Sequence, residues 1–226
     1  MIRRLIIFSF LISVLIIYQS EAQIRKQTQF KIGNGAVAFE SVAIGSQVWM
    51  KKNLNVDHYR NGDIIPHVTD STAWVNLTSG AWRYYNDDPS TGAIYGKLYN
   101  WYAVNDPRGL APEGWHVPTE DEWTVLVSGL GGDLNAGKML KEIGTSHWLT
   151  PNTSATNESG FTALPGGSLR YGDTYFSGLS SVGYWWTSSG STSPNAKMRG
   201  MFFNGTSVYR GTIKRTYGFS VRCVKD

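Results

Sequence analysis

The stretch VPTEDEWTVLVSGLGG, residues 117–132, reads as one amphipathic helix with both of its ends written into it. Thr119 is placed to accept a hydrogen bond from the Glu122 backbone N–H while the Glu122 carboxylate accepts one from the Thr119 N–H, the reciprocal arrangement of a capping box. Glu120, Asp121 and Glu122 put negative charge in the first turn, where the helix dipole is positive. Trp123, Leu126, Val127 and Leu130 follow at i, i+3, i+4 and i+7, and Gly131-Gly132 stops the run. Such a stripe is a core face, so the fold has to supply something apolar to lie beneath it.

Reading outward, Ala136, Met139, Leu140 and Ile143 repeat the helical spacing and end at Gly144. Upstream, Tyr95, Leu98, Tyr99 and Tyr102 show the same period before Asp106-Pro107. Strand signals flank these helices. Val42, Ile44, Val48 and Met50 alternate around Gly45-Ser46, the pattern of a hairpin. Residues 51–92 read as long loops around short strands. After Phe161 the chain breaks into short β segments: 184–187, 197–203, 207–210 and 217–224, with Asn204-Gly205 as a type I′ hairpin signal. The expected class is α+β, two to three helices with a small antiparallel sheet and long loops.

The first residues belong to a different problem. Arg3 and Arg4 precede an apolar run from Leu5 to Ile17, too short for a bilayer that needs roughly 20 residues, and Ser20-Glu21-Ala22 places small residues at −3 and −1 of a cut before Gln23. Residues 1–22 are therefore expected to be a secretory signal peptide, residues 23–39 a lead-in or first strand, and residues 40–226 one domain of an extracytoplasmic protein, secreted or periplasmic. Gln23, not Cys, stands directly after the cut, which argues against a lipid anchor, and no later stretch is apolar enough to span a membrane.

Composition narrows the partners. The 21 basic and 17 acidic residues give a net charge of +4, with no Lys/Arg cluster beyond a dyad such as Lys51-Lys52, which argues against nucleic acid. Cys223 is the single cysteine, so no internal disulfide forms. Nine Trp, twelve Tyr and 25 Gly point instead to aromatic packing joined by tight turns.

Five segments carry a resemblance: GSQVWMKKNLNV at 45–56, YGKLYNWYAV at 95–104, GWHVPTEDEW at 114–123, GFTALPGGSLR at 160–170 and GFSVRCVKD at 218–226. Their content and order are similar to the Fibrobacter succinogenes major paralogous domain, a family of exported bacterial proteins. The GWHVPT helix start and the terminal GF-x-VR element also look like those of formylglycine-generating-enzyme-like and other C-type-lectin-like proteins, which implies a C-type-lectin-like fold. Many relatives carry a Cys before the Pro of the GWHVP segment; Ala111 stands there, which leaves Cys223 without the partner the resemblance implies.

No catalytic constellation stands out. His58, His67, His116 and His147 are scattered, none at a helical metal spacing, and one Cys cannot supply the thiol pair of a formylglycine-generating oxidase. The expectation is a non-enzymatic recognition module that binds a glycan or a surface protein through loops at 165–210, with a structural or assembly role in the bacterial cell envelope as the alternative. The candidate binding residues are aromatic: Trp185 and Trp186, of which strand alternation would turn one outward, with Tyr171, Tyr175 and Tyr209. Asn86-Asp87-Asp88-Pro89 offers oxygen ligands of the kind Ca²⁺ takes, with Asp87 and Asp88 as the ligands, and equally the residues of an ordinary turn.

Overall fold

A computed structural model describes residues 31–32, 36–37, 39–170 and 175–226. The segment read as a signal peptide, 1–22, lies outside them. The chain divides into two units, Met1–Phe39 and Glu40–Asp226. The described part of the first is a short antiparallel ladder of β1 (Lys31–Ile32) and β2 (Ala36–Val37).

The second unit opens with the expected hairpin, β3 (Ser41–Ile44) and β4 (Gln47–Met50), in which Ile44 opposes Gln47 and Gly45 takes φ 60° in the two-residue turn. Among the described residues five α-helices follow: α1 (Ser71–Val75), α2 (Pro89–Tyr95), α3 (Trp101–Val104), α4 (Glu120–Gly129) and α5 (Ala136–Leu140), with one 3-10 turn at Tyr85–Asp87. The remaining strands are β5 (Trp82–Arg83), β6 (Leu98–Tyr99), β7 (Trp115–His116), β8 (Gly166–Leu169), β9 (Phe176–Leu179), β10 (Val182–Gly190), β11 (Asn195–Phe202), β12 (Val208–Lys214) and β13 (Val224–Lys225). They form a five-stranded sheet ordered β12-β11-β10-β8-β9, a four-stranded sheet ordered β3-β4-β13-β7, and the pair β5-β6. The class is α+β.

The helix that opened the sequence reading is α4, capped as expected: Glu122 N–H donates to Thr119 Oγ1 at 3.2 Å and Thr119 N–H donates to Glu122 Oε2 at 2.7 Å. Its stripe of Trp123, Leu126 and Val127 is buried against Trp49, Phe161, Trp185 and Met201. Trp123 lies 5.0 Å from Trp49 and 6.2 Å from Trp185 between ring centroids, so the core is built of offset aromatic rings. Arg199, fully buried on β11, pins the sheet to the start of α4 through Glu120 at 2.7 Å and Thr124 Oγ1 at 2.9 Å.

Elsewhere the structure corrects the expectations. The helix read across Tyr95 to Tyr102 is three elements. Gly96 leaves α2 with φ 75°, Leu98 and Tyr99 are extended, and Asn100 caps α3 by accepting the Ala103 N–H at 3.0 Å. Three short elements, with Tyr95, Leu98 and Tyr99 all buried, mimic the period of one long helix. The helix expected across Ala136 to Ile143 is α5, which stops at Leu140 because Lys141 turns extended and bridges to Ala163, and this leaves Ile143 exposed. Asn204-Gly205 is no type I′ turn, which would need positive φ at both residues. The connection from β11 to β12 is longer, held by the buried Lys141, whose Nζ donates to the Gly205 carbonyl at 2.9 Å. The small antiparallel sheet is larger and mixed, since β10 runs parallel to β8. In the stretch 165–210, expected to present binding loops between short β segments, the strands β8 to β11 are longer than expected and take up most of the described residues.

The C-terminal segment is the least strand-like of the expected strands and the most connected. Gly218 bridges to Leu169, Phe219 to Tyr99 and Ser220 to Trp185, before Val224 pairs with both Trp49 and His116. It bridges the sheets residue by residue before it joins the four-stranded sheet as β13.

Candidate functional site

The two faces of the five-stranded sheet differ in chemistry because their residues alternate. On one face Trp185 enters the α4 core. On the other, register places Tyr184 opposite Gly200 and Gly200 opposite Tyr209, with Met198 and Gly211 paired beside them. Both glycines make room for rings. A Cβ at Gly200 would stand 2.8 Å from the Tyr184 ring, and one at Gly211 would stand 2.8 Å from the Tyr209 ring. Each tyrosine thus lies along the sheet over bare backbone, the way an aromatic covers a strand glycine.

These rings floor a cleft of about 250 Å³, walled by Tyr217 and Phe219 of the C-terminal segment and by Ser168 and Arg170 at the end of β8. Tyr184 packs on Phe219 at 4.9 Å and edge-on to Phe202 at 6.0 Å. Burial raises the Tyr184 phenol, while the Arg170 charge pulls it the other way, so the phenol stays protonated and serves as donor as well as acceptor. Tyr209 is 55% exposed and Arg170 is exposed, so the cleft opens to solvent. Rings on the floor, hydroxyls at the rim and one guanidinium suit a ligand with apolar faces and hydroxyl edges.

The candidate residues separate cleanly. Tyr209 lines the cleft. Tyr175 stands beside it, 45% exposed, with its hydroxyl 3.5 Å from Arg170 Nη1. Tyr171 lies outside the described residues. Trp185 and Trp186 do not belong to a site: both are 0% exposed. They do point to opposite faces, but β10 is central and both faces are covered. Trp185 donates to Asn53 Oδ1 at 2.9 Å, and Trp186 donates to the Tyr99 carbonyl at 2.8 Å while packing on Phe219 at 4.6 Å.

The acidic turn is likewise occupied. Asn86 and Asp87 sit at φ 53° and 55°, and the Asp87 carboxylate takes the Arg83 guanidinium on both oxygens, at 2.8 Å from Nε. Asp88 caps α2, accepting the Ser90 N–H at 2.8 Å. Among the described residues, no group of three or more His, Cys, Asp or Glu side chains gathers as a metal site. Each histidine has a neighbour of its own: His58 with Asp57, His147 with Glu142, His116 between Glu122 and Asp226, and His67 stacked on Trp82.

Sequence reasoning missed Tyr184, Arg170, Tyr217 and Phe219. The usable signal was Gly200 and Gly211 inside strand-like runs, since an interior strand glycine marks a close approach. A larger hollow of about 540 Å³ on the opposite face, between α4 and β11-β12, is lined by Glu120, Asp121, Lys197 and Arg210. Opposite charges face each other there, and none of the described residues that line it is aromatic. The aromatic cleft is the better candidate.

Among the described residues, no helix is long and apolar enough to cross a membrane. No curated protein and no solved structure matches the chain. One family model does, that of the Fibrobacter succinogenes major domain, over residues 42–225, which include every described residue of the cleft. The chain belongs to the Fibrobacter succinogenes major domain family.

Proposed function

We propose that this protein is an extracytoplasmic, non-enzymatic recognition module that binds a glycan in the aromatic cleft, on a C-type-lectin-like fold. The observation that carries the reading is the pair Tyr184 and Tyr209, each ring laid over a strand glycine at the floor of an open cleft. A sugar ring presents an apolar C–H face and hydroxyl edges, which match such a floor and the phenol and hydroxyl groups around it. The lectin-like reading is supported by the GWHVPT start of α4, the lacing role of the GF-x-VR segment and the small number of helices. Export is supported by the basic start, apolar run and small residues before Gln23.

The test is a screen of cell-wall and matrix polysaccharides by affinity electrophoresis with the chain from Gln23 onward. Tyr209→Ala is expected to weaken a hit about tenfold, the scale of a truncated aromatic anchor, with the unfolding midpoint unchanged. No retarding polysaccharide, together with stable complexes formed with envelope proteins, would favour the envelope-assembly role instead.

A further inference from the structure

Among the described residues that line the cleft, Arg170 is the single charged side chain and none is a carboxylate. Its described side-chain partner is a phenol, Tyr175, at 3.5 Å, and its guanidinium carbon stands 5.9 Å from that ring. No described ion pair neutralises it, in contrast to Arg83, Arg108, Arg199 and Arg210, each of which meets an aspartate or glutamate. Its backbone N–H donates to the Tyr175 carbonyl at 3.1 Å, so the arginine sits at a braced strand end. The charge also reaches the floor of the cleft, where it acts on the Tyr184 phenol.

We infer that the cleft selects an acidic glycan, a chain carrying uronate carboxylates, with Arg170 taking the carboxylate and Tyr184 and Tyr209 taking the sugar faces. The inference rests on the glycan reading and sharpens it. A guanidinium fork matches a carboxylate with two parallel hydrogen bonds, a geometry a lysine cannot supply. Single-stranded nucleic acid would also stack on the tyrosines, but it brings a phosphate at every unit and needs a row of cations along the groove. One arginine among hydroxyls and phenols suits a polymer whose charge is sparser.

The experiment is affinity electrophoresis of the chain from Gln23 onward, at low and high salt, against polygalacturonate, a neutral glucan, a sulfated galactan and oligodeoxythymidine. Expected is retardation by polygalacturonate that weakens with salt, falls about tenfold in Arg170→Ala, the scale of one lost charge-assisted pair, and is only partly kept in Arg170→Lys. Equal binding of the neutral glucan, lost in Tyr209→Ala but untouched in Arg170→Ala, would overturn the acidic selectivity and leave the glycan reading standing. Stronger Arg170-dependent binding of the sulfated galactan would overturn the carboxylate assignment. Preference for oligodeoxythymidine, or no binding to any polysaccharide, would overturn both.

Discussion

Asn53 accepts two hydrogen bonds from Arg222 in the interior of the protein, on the same oxygen, at 3.1 Å from Nε and 2.9 Å from Nη2. Trp185 Nε1 adds a third at 2.9 Å, and Asn53 Nδ2 donates onward to the Tyr95 carbonyl at 2.8 Å. Arg222 is fully buried and has no carboxylate partner in this knot; carbonyls of Met50 and Phe161 take its Nη1 at 3.1 and 2.6 Å. A neutral amide therefore organises a buried cation, and removing it strands three N–H donors. Asn53→Ala is expected to cost about 3 kcal/mol or more, since each orphaned buried donor costs about 1–3 kcal/mol. Urea unfolding measures it; a loss below about 1 kcal/mol would mean that water enters the knot and replaces the amide.

Gly200 gives a way to disturb the cleft without touching a ring. Its φ is not in the left-handed region, so alanine is tolerated by the backbone, yet the added Cβ would meet the Tyr184 ring at 2.8 Å. Gly200→Ala is expected to lift Tyr184 off the sheet and weaken ligand binding about as much as Tyr184→Ala, while unfolding shifts by about 1 kcal/mol or less. Trp186→Ala should do the reverse, costing about 3–5 kcal/mol as a buried aromatic truncation. If Trp186→Ala folds normally and only binding falls, the division between floor and core drawn above is wrong.

That division explains what could be read in advance. The five segments that carry the family resemblance meet in the interior: Trp49 and Asn53 from the first, Tyr95 and Tyr99 from the second, Trp123 from the third, Phe161 from the fourth, Phe219 and Arg222 from the last. They specify packing, so they pointed to the fold class and the order of its parts. Tyr184 and Tyr209 lie outside all five. Period-two alternation turned Trp185 and Trp186 to opposite faces, as expected, but alternation says nothing about whether a face is covered. Coverage here comes from Phe219, some thirty residues downstream in sequence and joined to the sheet by single bridges, a long-range placement that no local pattern encodes. The same holds for Leu98 and Tyr99, whose helical spacing reflected burial from several sides.

Cys223 should be chemically silent in the folded protein. It is fully buried, and burial pushes its thiol up to about 12. A thiolate is the reactive form, so native protein is expected to leave a thiol reagent unconsumed at neutral pH and to react once in strong denaturant. Reaction of the native protein at the rate of a free thiol would show that the C-terminal segment opens.

His116 joins the segment before α4 to the last residue of the chain and to the helix cap. Its Nε2 lies 2.6 Å from Glu122 Oε1 and its Nδ1 lies 2.6 Å from Asp226 Oδ1. Burial by itself would lower the imidazole, but hydrogen bonds to Glu122 and Asp226 outweigh it and raise its pKa. A raised folded-state value means the contribution is fully present below the unfolded value of about 6.5 and is lost as pH rises through the folded one. Glu122 works on the acid side. Burial would raise it, yet the Thr119 N–H and His116 hold it low, so its contribution is present above the usual Glu value and is lost as pH falls through the folded one. Stability should therefore decline on both sides of a mildly acidic maximum. His116→Gln keeps two hydrogen-bonding atoms without the charge, and is expected to flatten the decline above about pH 6.5 while the acid limb set by Thr119 persists. The pair is partly exposed, so the alkaline loss should be about 1 kcal/mol or less. Urea midpoints across the pH range for both proteins decide it: a wild-type curve as flat as that of the variant between neutral and mildly alkaline pH would show that His116 is not charged in the fold.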